Sequence, residues 1–365
     1  MQFIESQNER IMFISKLLSL EEHSQKSLAG QLNKGQETTI CSIRNTLPRR
    51  TAVTKRVKQV TCLARRYGIM RGLIVLFAGL VWTATAADLP TNRIDQITGL
   101  KGKWNSEERV YKLSVPRTDI KVKVDHWQMP PFMGLTSWAA FTTGTAKPAM
   151  VMGDLVLLQD EVNPVMSAAL ENGLAVTALH NHFFYDEPKI FFMHIGGEGD
   201  PEKLAAGVKT VFATVGAVRK ATVEPPMSFG GKPLPAQNSI TAEALASTLG
   251  VKGESKDGMF KAVFGRKAKM DCGCDAGKEM GVNTWAAFAG ADDNALVDGD
   301  FVVLEKELQP VLKSLRKSGV NIVAIHHHMS GEEPRMLFLH YWGRGSAQEL
   351  AQAVKSALAL TATAK

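Results

Sequence analysis

At 365 residues, with 45% hydrophobic and 22% charged residues, the chain has an ordinary globular composition and the length of two average domains. Its net charge of +7 is unevenly placed: residues 1–87 hold thirteen Lys/Arg against five Asp/Glu, which leaves 30 basic and 31 acidic groups on the remaining 278 residues. The basic excess belongs to the leader, so it does not mark a nucleic-acid surface on the folded part, and four cysteines are too few for a disulfide scaffold.

Within the leader, Arg65-Arg66 and Met70-Arg71 precede the apolar run Leu73 to Trp82, and Ala84-Thr85-Ala86 follows it. This is the order of a charged region, a short apolar core and a small-residue cleavage site. The reading is a signal peptide at 70–86, with translation starting at Met70 and residues 1–69 a non-native or disordered extension. It predicts a periplasmic or secreted protein with no stable membrane span after cleavage, because the run is too short to cross comfortably. Cys41 and Cys62 lie in this leader. The mature part keeps Cys272-Gly273-Cys274, which suits a tight disulfide or a soft metal-ligand pair.

Beyond the leader one unit is written twice, at 90–222 and 240–362, with an offset near 146 residues. Trp138-Ala139-Ala140-Phe141 matches Trp285-Ala286-Ala287-Phe288, Gly153-Asp154 matches Gly299-Asp300, and Glu161 matches Glu307. In chain order, each unit opens with a helix (about 91–98; about 242–249). In the first copy, strands follow around 111–115, 120–124, 137–141 and 154–158. A helix at 162–171 starts near Pro164 and stops before Gly173; its counterpart is 308–318. A histidine-bearing hairpin comes next, and a closing helix at 201–212 (347–358) ends the unit, with Asp200 as its cap. Prolines and glycines make 223–239 a linker. Strands precede helices without strict alternation, so the expected class is α+β: two tandem units, each a mostly antiparallel sheet packed with helices, related by a pseudo-twofold. Trp138 and Trp285 are expected to anchor the core.

The hairpin is Ala178-Leu179-His180-Asn181-His182 through Glu187-Pro188 to His194, and its second copy carries His326, His328, Glu333-Pro334 and His340. Residues i and i+2 of a strand share a face, so His180 joins His182 and His326 joins His328. A turn about 185–188 predicts His194 directly opposite His180. Three imidazoles per unit suit zinc or another transition metal, with an open fourth position. Glu187, Glu161, Glu333 and Glu307 are candidate general bases or extra ligands, and His126 and Cys272 share one aligned position. A metal-free imidazole–glutamate network is the competing reading.

Val115-Pro116-Arg117-Thr118-Asp119, Gly153-Asp154, Glu161 through Pro164, Ala178 through His182 and His194-Ile195-Gly196-Gly197 together resemble the LppY/LpqO family of exported bacterial proteins with a domain of unknown function. The second copy departs from the pattern where Pro116-Arg117 becomes Gly265-Arg266 and Asn181 becomes His327. The resemblance implies an exported compartment and no established activity. The leading expectation is therefore an exported metal-binding protein, hydrolytic if a coordination position stays open. The alternative is a metal-free periplasmic binder of a small ligand or envelope component.

Overall fold

The computed structural model describes residues 88–362; the signal-peptide and start-site readings lie outside the described residues. The first copy runs α1 (Thr91–Thr98), β1 (Lys103–Asn105), β2 (Val110–Pro116), β3 (Val122–Val124), β4 (Trp127–Met129), β5 (Thr136–Thr143), β6 (Ala149–Leu158), α2 (Val162–Glu171), β7 (Ala175–His180), β8 (Asp186–Glu187), β9 (Ile190–Gly199) and α3 (Pro201–Ala221). The second runs α4 (Ala242–Leu249), β10 (Glu254–Lys256), β11 (Met259–Gly265), β12 (Ala268–Met270), β13 (Asp275–Ala276), β14 (Asn283–Ala291), β15 (Asn294–Leu304), α5 (Glu305–Lys317), β16 (Asn321–His326), β17 (Glu332–Glu333), β18 (Met336–Gly345) and α6 (Ala347–Leu358).

The fold is α+β with antiparallel sheets, as the order of elements predicts. Most expected elements recur within a residue or two. Two helices are longer: α3 continues to Ala221 because Val208, Val211, Val215 and Arg219 extend its buried stripe, and α5 begins at Glu305. Strand β6 begins at Ala149, where the alternation of Ala149, Val151 and Gly153 already faces the core.

The main sheet has twelve strands in the order β1-β2-β5-β6-β9-β7-β16-β18-β15-β14-β11-β10. Read from either edge, the order passes through equivalent strands of the two copies. They meet at β7 and β16, which pair antiparallel through Leu179 and Ile325. Those two residues are themselves equivalent. Flanking them, the Asn163 side chain accepts from Ile322 N (2.8 Å) and donates to Ile322 O. Its counterpart Gln309 does the same to the Val176 backbone at 2.9 and 2.8 Å. The two contacts are thus reciprocal between equivalent positions of the copies.

The two faces of the sheet have different fates. One packs against the helices around Val176, Leu179, Met193, Ile195, Phe301, Ile325, Leu339 and Tyr341, in a core that runs through both copies. On the other face Val156, Leu158, Ile190 and Phe192 are covered by the small sheet β4-β3-β8, with Val122, Met129 and Leu135. In the second copy Val302, Met336 and Phe338 lie under β13-β12-β17. Alternation then places the next residues on that face, Asp154 and His194 (Asp300 and His340), at the rim of the cover.

Candidate functional site

Two strands and a loop bring the histidines together. His180 ends β7, His194 lies in β9, and His182 follows β7 in the connection to β8. The predicted register is corrected: His194 stands opposite Ala178, and His180 opposite Phe192. The reason is that Asp186 and Glu187 do not close a simple turn; they leave the hairpin to pair with Val124 and Lys123 of β3. The displacement is two residues, and a shift of two preserves the face. His180 and His194 are thus diagonal neighbours on one side, with ring centroids 5.2 Å apart and their Nε2 atoms at 3.1 Å. His182 stacks on Phe192 at 3.5 Å and parallel to His180 at 5.1 Å. In the second copy His328 stacks on Phe338 at 3.5 Å, its Nε2 lies 3.0 Å from His326 Nε2, and His340 stacks on His326 at 4.7 Å.

Each cluster also includes a carboxylate that the local sequence pattern did not single out. Asp154 is the direct cross-strand partner of His194, and Asp300 of His340. Asp154 Oδ1 lies 4.0 Å from His194 Nε2, and Asp300 Oδ2 lies 3.4 Å from His328 Nε2. In both copies the aspartate Oδ1 is buried and has no hydrogen-bond partner, as is His326 Nδ1. Ligand atoms of Asp300, His326 and His328 all fall within 4.8 Å of one another. The available signal was the recurring Gly-Asp pair. Packing explains the glycine, since a Cβ on Gly153 would come within 2.8 Å of the Trp138 carbonyl oxygen and 2.9 Å of Ile195 Cγ1; it does not explain the aspartate.

Burial controls protonation here. It pushes the Asp300 carboxyl up to about 6, against the pull of His340 and of the Leu339 N–H. It pushes His326 down to about 4, helped by the neighbouring His340, His328 and His327. His328 and His182 are lowered for the same first reason, burial, with a neighbouring imidazole adding to it in each. Each of these shifts favours the neutral imidazole, the form in which a ring nitrogen can bind a cation without first losing a proton.

The candidate glutamates go elsewhere. Glu161 is fully buried and forms a two-point pair with Arg117 at 2.8 Å for each bond; it also faces Arg219 Nε at 2.6 Å and accepts the Leu158 N–H at 2.7 Å. Glu307 is held by Arg266 (2.6 Å), the Leu304 N–H and the Ala362 N–H. Both glutamates fasten the start of a helix to the sheet. Glu187 and Glu333 are exposed on β8 and β17, opposite Lys123 and Lys269. His126 is exposed, and Cys272 is disulfide-bonded to Cys274. Trp138 and Trp285 are not core anchors. They stand half-buried opposite Asp154 and Asp300, with Lys112 Nζ and Lys261 Nζ over their rings at 4.2 and 4.7 Å.

With this geometry established, comparison with known proteins gives one firm result. The family described as Domain of Unknown Function (DUF1259) matches residues 92–214 and again residues 243–360. The chain belongs to that family. The two DUF1259 copies coincide with the two halves of the sheet, so each copy brings its own histidine cluster. No curated protein matches the chain. A solved structure, a double ringed trimeric shell protein from the RMM microcompartment, aligns over 64% of this chain and 84% of its own at 12% identity, with a TM-score of 0.15; that score carries no argument about fold or function. Among the described residues no helix is long and apolar enough to cross a membrane.

Proposed function

We propose that this DUF1259 chain is an exported protein that binds one transition-metal ion in each copy. The ligand sets are His180, His182 and His194 with Asp154, and His326, His328 and His340 with Asp300. The observation that carries this reading is the buried, partnerless aspartate Oδ1, which recurs at equivalent positions beside three imidazoles. A buried carboxylate oxygen without a donor is costly, and a cation shared with the imidazoles removes that cost. Nitrogen and carboxylate donors in a set of four suit zinc, with copper, nickel and iron also acceptable. The resemblance to the LppY/LpqO family and the signal-like leader support a periplasmic or secreted location.

Hydrolysis would require a further open position on the ion. Glu161 and Glu307 are saturated by arginines and backbone donors, so Glu187 and Glu333 remain the glutamates free to assist a bound water. A metal-free reading is favoured by the short imidazole pairs at 3.0–3.1 Å, which a shared proton satisfies. Elemental analysis of untagged mature protein, refilled and dialysed, separates the two. One ion per copy is expected, with His180→Ala/His182→Ala losing the first and His326→Ala/His328→Ala the second. Stoichiometry well below this, or affinity unchanged in those variants, would leave the metal-free network as the answer.

A further inference from the structure

Beside the second cluster lies a cavity of about 380 Å³ whose walls include Trp342, Phe229, Val323, Asn163, Asp298 and His340. It is large enough for a compact organic molecule. Three features of this place are independent of the imidazole cluster. First, its aromatic wall is built: Phe229 of the linker stacks on Trp342 at 4.7 Å, and the linker is held over the sheet by Arg344, which donates to Gly230 O and Lys232 O. Secondly, Val323 enters the cavity because β16 carries a bulge between Ile322 and Ala324. Thirdly, among the described residues no lysine or arginine lines the cavity and the one carboxylate there is that of Asp298, the cross-strand partner of Trp342.

The first copy has no counterpart of this wall. At the positions equivalent to Asp298 and Trp342 it carries Met152 and Gly196, and the linker's Phe229 stacks on the second copy's Trp342. The duplicated hairpin kept its histidines and diverged here. Asp298 is exposed, and Trp342 is half-buried with Phe229 stacked on its ring.

We infer that this cavity is a binding site for a small organic cation with an apolar body, such as a quaternary or aromatic ammonium. The Trp342 ring would face the cation, Asp298 would balance its charge, and Phe229 and Val323 would enclose its apolar part. His340 belongs to both the cavity wall and the histidine cluster, so a bound molecule would lie beside the ion. That adjacency rests on the metal reading; the cavity itself does not.

Titration calorimetry with benzyltrimethylammonium tests the inference, on the mature protein in chelator and again after zinc loading. Saturable binding is expected in both, weakened roughly tenfold or more by Trp342→Ala and by Asp298→Asn and largely retained in Trp342→Phe, as a cation–π contact requires. Benzoate, which has similar bulk and the opposite charge, should not bind. Thermal melts establish that the variants are folded, and Trp342→Phe keeps the test valid if the alanine variant is not. Absence of saturable binding, equal affinity in Trp342→Ala or Asp298→Asn, or equal binding of benzoate would each overturn the site. Probe binding without metal uptake would instead remove only the metal reading, and metal uptake without probe binding only the cavity.

Discussion

At the scale of single residues, Asp300 is the sharpest test of the cluster. Its side chain is 4% exposed and its Oδ1 has no donor, so in metal-free protein its charge is a burden. Asp300→Asn should melt at the same or a higher temperature than the parent in chelator. In the presence of zinc it should lose at least ~10-fold in affinity at the second site, because a carboxylate ligand has become a neutral amide. Thermal melts with and without zinc read both effects, since a ligand that binds only the folded state stabilises it in proportion to its saturation. If the variant is destabilised in chelator and its zinc affinity is unchanged, Asp300 is holding a proton network. The histidines were legible in the sequence because alternation along a strand is local. Asp154 was not, because its neighbour His194 lies on another strand, across a loop, a helix and β7, and no periodicity links them.

At the scale of elements, the arginine–glutamate latches position the helix starts. Arg117 and Glu161 are 3% and 0% exposed, and removing Arg117 leaves the buried carboxylate with Arg219 and the Leu158 N–H as its remaining partners. Arg117→Ala should destabilise the protein in urea unfolding by less than the ~3–5 kcal/mol of a fully stranded charge and leave the ion stoichiometry of the second copy unchanged. The second latch gives a pH dependence. Burial pushes the Glu307 carboxyl up, but Arg266 and the N–H groups of Leu304 and Ala362 outweigh it and hold the group below its ordinary value of 4.5. A carboxyl depressed in the folded state contributes stability that is fully present above pH 4.5 and is lost as pH falls through the depressed value. Urea titrations should therefore show parental stability falling on the acid side of that pH, and a shallower acid-side fall in Arg266→Ala. Glu161 and Glu307 are visible in the sequence as acids near a helix start. Their partners are not, since Arg117, Arg219 and Arg266 come from distant segments that only the packed sheet brings close.

At the scale of the whole molecule, the copies share one sheet and one helix-side core through the β7–β16 seam. Thermal unfolding should show a single cooperative transition. Asn163→Ala/Gln309→Ala removes both reciprocal amide bonds to the seam backbone, at about 1–3 kcal/mol for each backbone site left unsatisfied. It should lower the transition midpoint or split it in two. An isolated first copy, residues 90–222, would expose the β7 edge that Ile325 now meets. Such an edge is a template for pairing, so the fragment should self-associate in sedimentation, and a stable monomer would count against the seam as the element that joins the copies.

Sequence alone determined the duplication, the positions of most helices and strands, and the common face of the paired histidines. Each follows from a repeat or a short period that the chain carries locally, and for the histidines a two-residue error in register leaves the face intact. Tertiary structure decided what stands beside those histidines. It added Asp154 and Asp300, assigned Glu161 and Glu307 to arginines, moved Trp138 and Trp285 to the open face, and placed the linker against Trp342. Cross-strand neighbours are fixed by strand order and register over the whole sheet, and these depend on long-range packing.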